Sequence, residues 1–281
     1  MCCSTAEAEF RGTKILVNAM KLPGVGDVRV LMYQNEAYNL SGVANSMILH
    51  VPTNTPMEPE NFIDMTNARD VLDDMYEAIT PRYRGGFSDN MMIGSSGVER
   101  SVQVFESGEY TVVLADNATD ILEALYEVPA EKRPSIQPEL LQFYQDNYGE
   151  GFKFILACFN NRHLSGPAPI AVWYVPSEET KDHLIFPALD SHTGGAPDVF
   201  ANVYVDHSLF MSVTDMSGGI PMRYSRNMPE TVAKFLPTNI VGRSYDGSMQ
   251  NGDFRFALAD VGHGQVPAME RIFPGVVSMN N

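Results

Sequence analysis

"VERSVQVFESGEYTVVLADNATDILEALYEV", Val98 to Val128, is the stretch that decides the fold class. Its first part holds two β-rich runs around the turn pair Ser107-Gly108, and the second run passes straight into "NATDILEALYEV". There Asn117 or Thr119 can cap a helix whose apolar positions are Ile121, Leu122, Leu125 and Tyr126. Two neighbouring strands followed by a helix argue for segregated α and β structure, not for regular strand-helix alternation.

The pattern holds outward in both directions. Upstream, "TKILVNAMKL" (Thr13 to Leu22) and "VRVLMYQNEAYN" (Val28 to Asn39) flank the Pro/Gly turn "PGVGD" and predict a hairpin, and "NSMILHVP" (Asn45 to Pro52) predicts a third strand. After a proline-rich loop, the spacing of Val71, Leu72, Met75, Tyr76 and Ile79 predicts an amphipathic helix that Pro81 ends. "RYRGGFSDNMMIGSSG" (Arg82 to Gly97) reads as a loop or lid and is the one place where a domain boundary would fall.

Downstream, Pro138 opens a second helix that stops at Gly149. "FKFILACFN", "PIAVWYVP", "HLIFPAL" and "VFANVYVDHSLFMSV" then read as strands. Patterning weakens from Met216 onward, where Gly, Pro and Asn are frequent. The expected fold is α+β over a single domain, residues 1–281, with mainly antiparallel sheets and a small layer of two to three helices.

Composition narrows the function classes. The 281 residues are 44% hydrophobic and 19% charged, enough apolar surface to fold independently. Thirty-five acidic against nineteen basic residues give a formal charge of −16, which repels phosphate backbones and anionic lipid surfaces, so no nucleic-acid partner is expected. No apolar run reaches the length of a membrane span, and acidic residues occupy the place where a signal peptide needs its apolar stretch. The expectation is a soluble, cytoplasmic protein. Three cysteines, an odd number, make no disulfide framework.

The order of elements from "GEYTVVLADNATDILEALYEVPAEKRPSIQPELLQFYQDNYGEGFKFILACFNN" through "PIAVWYVP" and "LIFPAL" resembles the middle of an uncharacterised bacterial family of exported proteins. That resemblance covers about half the chain and implies a fold but no activity.

Chemistry is concentrated at the N-terminus, "MCCST". Removal of Met1 makes Cys2 the terminal residue, and its α-amino group then serves as base for its own thiol. In this respect the chain is similar to the N-terminal cysteine nucleophile hydrolases that act on amides. The resemblance gives Arg11 the role of the guanidinium beside the nucleophile and makes Asn18, Asn160 and Asn161 candidate amide donors to a tetrahedral intermediate. The substrate would be a small-molecule amide or a peptide.

The second reading is non-enzymatic: an acidic assembly or binding protein, such as a viral or phage structural component, acting through protein contacts or self-assembly. The six histidines form no paired metal-ligand spacing and the glycine-rich stretches lack a P-loop lysine, so neither metal nor cofactor is expected. Two phrases, "LDSHTGG" and "VDHSL", place an aspartate within two residues of a histidine, Asp190 with His192 and Asp206 with His207.

Overall fold

In the computed structural model, residues 3–80, 102–160 and 166–272 are described. The loop at 82–97, Cys2 and Asn161 lie outside them.

The chain opens with a two-residue strand β1 (Cys3–Ser4), then the long hairpin β2 (Ala8–Leu22) and β3 (Gly26–Asn39), then β4 (Asn45–Val51) and helix α1 (Val71–Ile79). Hairpin β5 (Val102–Ser107) and β6 (Tyr110–Ala115) leads into the one-turn helix α2 (Ile121–Ala124). Asn117 caps no backbone N–H there; its amide donates to the Asp120 side chain instead. Helix α3 (Pro138–Tyr148) precedes β7 (Lys153–Phe159), β8 (Ile170–Tyr174), β9 (His183–Phe186) and β10 (Asn202–Val213). The weakly patterned last third holds β11 (Ile220–Pro221), helix α4 (Glu230–Ala233), β12 (Asn239–Gln250), β13 (Asp253–Ala257), helix α5 (Leu258–Gly262) and β14 (Glu270–Ile272).

These strands make three sheets, ordered β1-β4-β7-β6-β5, β11-β12-β10-β2-β3-β8 and β14-β13-β9. Every strand pair is antiparallel except β10 with β2, where Thr13 to Ala19 run beside His207 to Val213. The α+β expectation holds: antiparallel sheets dominate and the helices are few and short.

Burial explains the layering. The first and second sheets turn Leu49, Val112, Ile155 and Ile15, Val17, Leu31 toward a shared apolar layer, which Leu184, Phe186, Phe254 and Phe256 of the third sheet complete. The opposite face of the first sheet, with Ile48, Val113 and Leu156, is covered by Ile121, Leu140, Leu141 and Tyr144 of α2 and α3. The opposite face of the second sheet, with Leu16, Val30 and Met32, is covered by Val71, Leu72 and Met75 of α1. Strands β4 and β6 are therefore buried on both faces, which is why Met47 to Leu49 and Val112 to Ala115 read as continuous apolar runs and not as alternation.

Candidate functional site

The third sheet meets the first at one aspartate. Asp253, at the start of β13, is 1% exposed and engages four partners. Its Oδ1 accepts the backbone N–H groups of Ala188 (2.8 Å) and Leu189 (3.1 Å). Its Oδ2 accepts the Tyr148 hydroxyl (2.9 Å) and lies 2.7 Å from His50 Nε2. Burial alone pushes this carboxyl up, but His50, the Ala188 N–H and Tyr148 more than offset that and hold it below its ordinary value.

Aromatic rings enclose the pair. The His50 ring centroid is 4.1 Å from that of Tyr148 and 5.8 Å from those of Tyr144 and Phe152. Burial drives both tyrosine hydroxyls well above the ordinary phenol value. Cys3 packs into the same cluster, fully buried, its Sγ 3.6 Å from the Leu189 carbonyl. On the outer side the Arg271 guanidinium lies 4.2 Å from the Phe254 ring centroid and donates through Nε to the Gln250 carbonyl. Beside it, the Asn251 amide donates to the carbonyls of Asp190 and Asp198 and accepts from the Asp190 N–H.

A cysteine, a histidine and an aspartate are thus in one cluster, but all three are at most 1% exposed. No substrate reaches them as they stand. What the arrangement does is tie β1, β4, α3 and β13 together through groups that lose their partners if any one element leaves. Tyr148 and Phe152 also form part of the wall of a cleft of about 570 Å³, whose sides carry Asn54, Asn147, Glu150 and Glu179. Lys153, the one amine there, is held 2.9 Å from Asp116.

The residues singled out in the sequence are spread along the fold. Arg11 sits exposed at the bulge of β2, paired to Glu9 at 2.7 Å and lying over the Tyr38 ring. Asn18 is seven residues further along the same strand, roughly 20 Å away at strand rise, buried and donating to the Phe235 carbonyl. Asn160 follows β7, and its carbonyl accepts from the Asn39 amide. Arg11 and Asn18 are not brought together. Neither Asp-His phrase is a free surface turn: His192 Nε2 lies 2.8 Å from Asp190 Oδ1, and His207 is buried in β10. Among the described residues no three His, Cys, Asp or Glu side chains are grouped to hold a metal, and no helix is long and apolar enough to cross a membrane.

No protein family matches this chain. No curated protein matches it in sequence either. Among solved structures it is similar to baculovirus P35, with 12% identity and a TM-score of 0.42 over 91% of each chain. It is also similar to a mutated baculovirus P35 after caspase cleavage, with 11% identity and a TM-score of 0.40 over 87% of this chain and 90% of that one. Likeness at this score assigns neither a shared activity nor a shared site.

The surface offers a contrasting feature. At the far end of the β10–β12 ribbon, where Asn202 faces Gln250, Phe200 is 87% exposed and Tyr204 63% exposed. Val203 and Met249, paired beside them, are only partly covered by the core. Nothing in the local pattern marks this place, because Phe200 sits in an apolar run that looks like core.

Proposed function

We propose that this chain acts by binding another protein and not by turning over a substrate. The observation that carries the reading is the exposed end of the β10–β12 ribbon, where Phe200 and Tyr204 stand in solvent while the buried cluster around His50 and Asp253 is sealed. Exposed aromatic side chains, Tyr204 on β10 and Phe200 in the turn that leads into it, are the anchors that protein interfaces use. The hydrolase reading rests on Cys2, outside the described residues, and on Arg11 and Asn18, which lie far apart.

The test incubates the chain with candidate protein partners, proteases included. The expected result is a complex that survives gel filtration and that Phe200→Ser with Tyr204→Ser weakens by about tenfold or more, the loss typical of removing aromatic anchors. Fragment masses from the same mixture report whether the chain is cut and after which residue. Amide hydrolysis by the purified chain that disappears in Cys2→Ala overturns the proposal.

A further inference from the structure

Strand β12 has one satisfied edge and, among the described residues, one open edge. β10 pairs with it from Met211 opposite Val241 to Asn202 opposite Gln250, with no break in register. On the other side β11 reaches only Ile240 and Asn239. The Met222 N–H donates to the Thr238 carbonyl on that side, and Arg271 Nε caps the Gln250 carbonyl there. Backbone groups alternate along an antiparallel strand, so even-numbered residues point to this edge. Gly242, Ser244, Asp246 and Ser248 therefore present four N–H and four C=O groups for which the described residues supply no strand. Ser244, Asp246 and Ser248 are exposed. The run from Val241 to Met249 contains neither lysine nor proline, the residues that usually guard such an edge.

We propose that this edge pairs with the same edge of a second copy of the chain, antiparallel about a two-fold axis at Tyr245. The register follows from the residues. Centred on Tyr245, Gly242 faces Ser248 and Ser244 faces Asp246 of the other copy, so all four outward residues find outward partners. Each Ser244 hydroxyl meets an Asp246 carboxylate, one of whose oxygens already accepts from Tyr204. Arg243 meets Gly247, where open space surrounds the position a Cβ would take. Sliding the centre to Asp246 sets two carboxylates against each other. Sliding it to Ser244 drives Ser248 against Ile240, whose edge β11 already occupies. Sliding it to Gly247 sets Ser244 against Gln250, whose carbonyl Arg271 already caps. The register at Tyr245 avoids all three faults, and an isologous pairing of this kind closes at two copies.

Two chains of formal charge −16 repel, and a strand pair is a small interface, so the dimer is weak and strengthens with salt. Its test is sedimentation velocity of the full chain over a wide concentration range at low and high salt. Concentration-dependent dimer, more of it at high salt, is expected. Ser244→Pro removes one outward N–H without touching the β10 ladder and abolishes the dimer while the circular dichroism spectrum stays native. In case that variant misfolds, Ser244→Cys combined with Asp246→Cys forms covalent dimer under mild oxidation, whereas Ser244→Cys combined with Ser248→Cys does not.

A chain monomeric at every concentration, or a dimer that folded Ser244→Pro leaves intact, overturns the proposal. So does a monomer whose protein partner is lost on Ser244→Pro, which would assign the edge to a foreign strand. Phe200 lies off this edge, so Phe200→Ser alone reports on the binding function while Ser244→Pro reports on the pairing, and either can fail without the other.

Discussion

His50 Nε2 lies 2.7 Å from Asp253 Oδ2, and each side chain is 2% exposed. The contact joins β4 of the five-stranded sheet to β13 of the three-stranded one, across 203 positions of chain. Removing the carboxylate leaves the Tyr148 hydroxyl, the Ala188 and Leu189 N–H groups and His50 Nε2 buried without it, at about 1–3 kcal/mol for each unsatisfied group. Asp253→Ala is therefore expected to lower unfolding stability by at least this much, read from urea titration at neutral pH.

The same carboxyl sets an acid limit. Its value in the fold is depressed below 3.8, so its stabilising contribution is complete above the unfolded value and drains away as pH falls through the folded one. Stability of the wild-type chain should drop as pH falls below about 4. Asp253→Asn, compared by thermal unfolding along the same pH series, should lack that part of the slope.

Tyr148→Phe keeps the ring against His50 and removes only the hydroxyl donated to Asp253. Hydrogen bonds to charged groups contribute about 1.5–3 kcal/mol. A loss in that range by urea unfolding, smaller than that of Asp253→Ala, is expected. Equal losses would mean that the aspartate acts only through this tyrosine.

Cys3 and Cys158 are both fully buried, and burial pushes the Cys158 thiol up to about 12. The thiolate is the reactive form, so neither residue should alkylate in the native protein at neutral pH, and both should do so in denaturant. Peptide mapping after brief iodoacetamide treatment distinguishes the three cysteines. Fast native labelling at Cys158 would contradict the packing of β7 against α3.

Gly194 holds the segment after Leu189 against the first residues of the chain. Its φ is +82°, and a Cβ there would lie 2.5 Å from the Thr5 carbonyl oxygen. Gly194→Ala meets both backbone strain and a clash that no side-chain rotation relieves, so a destabilisation of about 1–3 kcal/mol is expected. Faster hydrogen exchange at Ser4, Thr5 and Ala8, whose N–H groups bond Ser191, Ser46 and His192, would locate the effect.

Asp74, half-buried on α1, is pushed up to about 6 by desolvation first and then by Asp70, Glu77 and Asp73. An acid raised in the fold makes the native state bind the extra proton, so its effect on stability worsens as pH rises from about 4 to 6. Asp74→Asn should stabilise the chain at pH 7 by less than about 1 kcal/mol, since water screens part of the repulsion. The gain should vanish below pH 4.

Local pattern carries as far as strands with strong apolar runs and helices with clear ends. The β2–β3 hairpin, β4, the β5–β6 hairpin and α3 from Pro138 to Tyr148 were all legible, because alternation, turn residues and a first-turn proline act within a few positions. "NIVGRSYDGSMQ" was not legible as β12, since half its side chains face solvent and two are glycine, leaving little apolar period to read. Its strand state comes from the ladder with β10. An isolated His50 in an apolar strand and an Asp253 after Asn251-Gly252 likewise carry no local signal of each other. Short-range periodicity and composition suffice for the α+β class, the acidic charge and most core strands. Which sheets meet, where Cys3 is buried and how far β10 covers β12 depend on pairings between residues far apart in the chain, and these emerge only when the whole chain is folded.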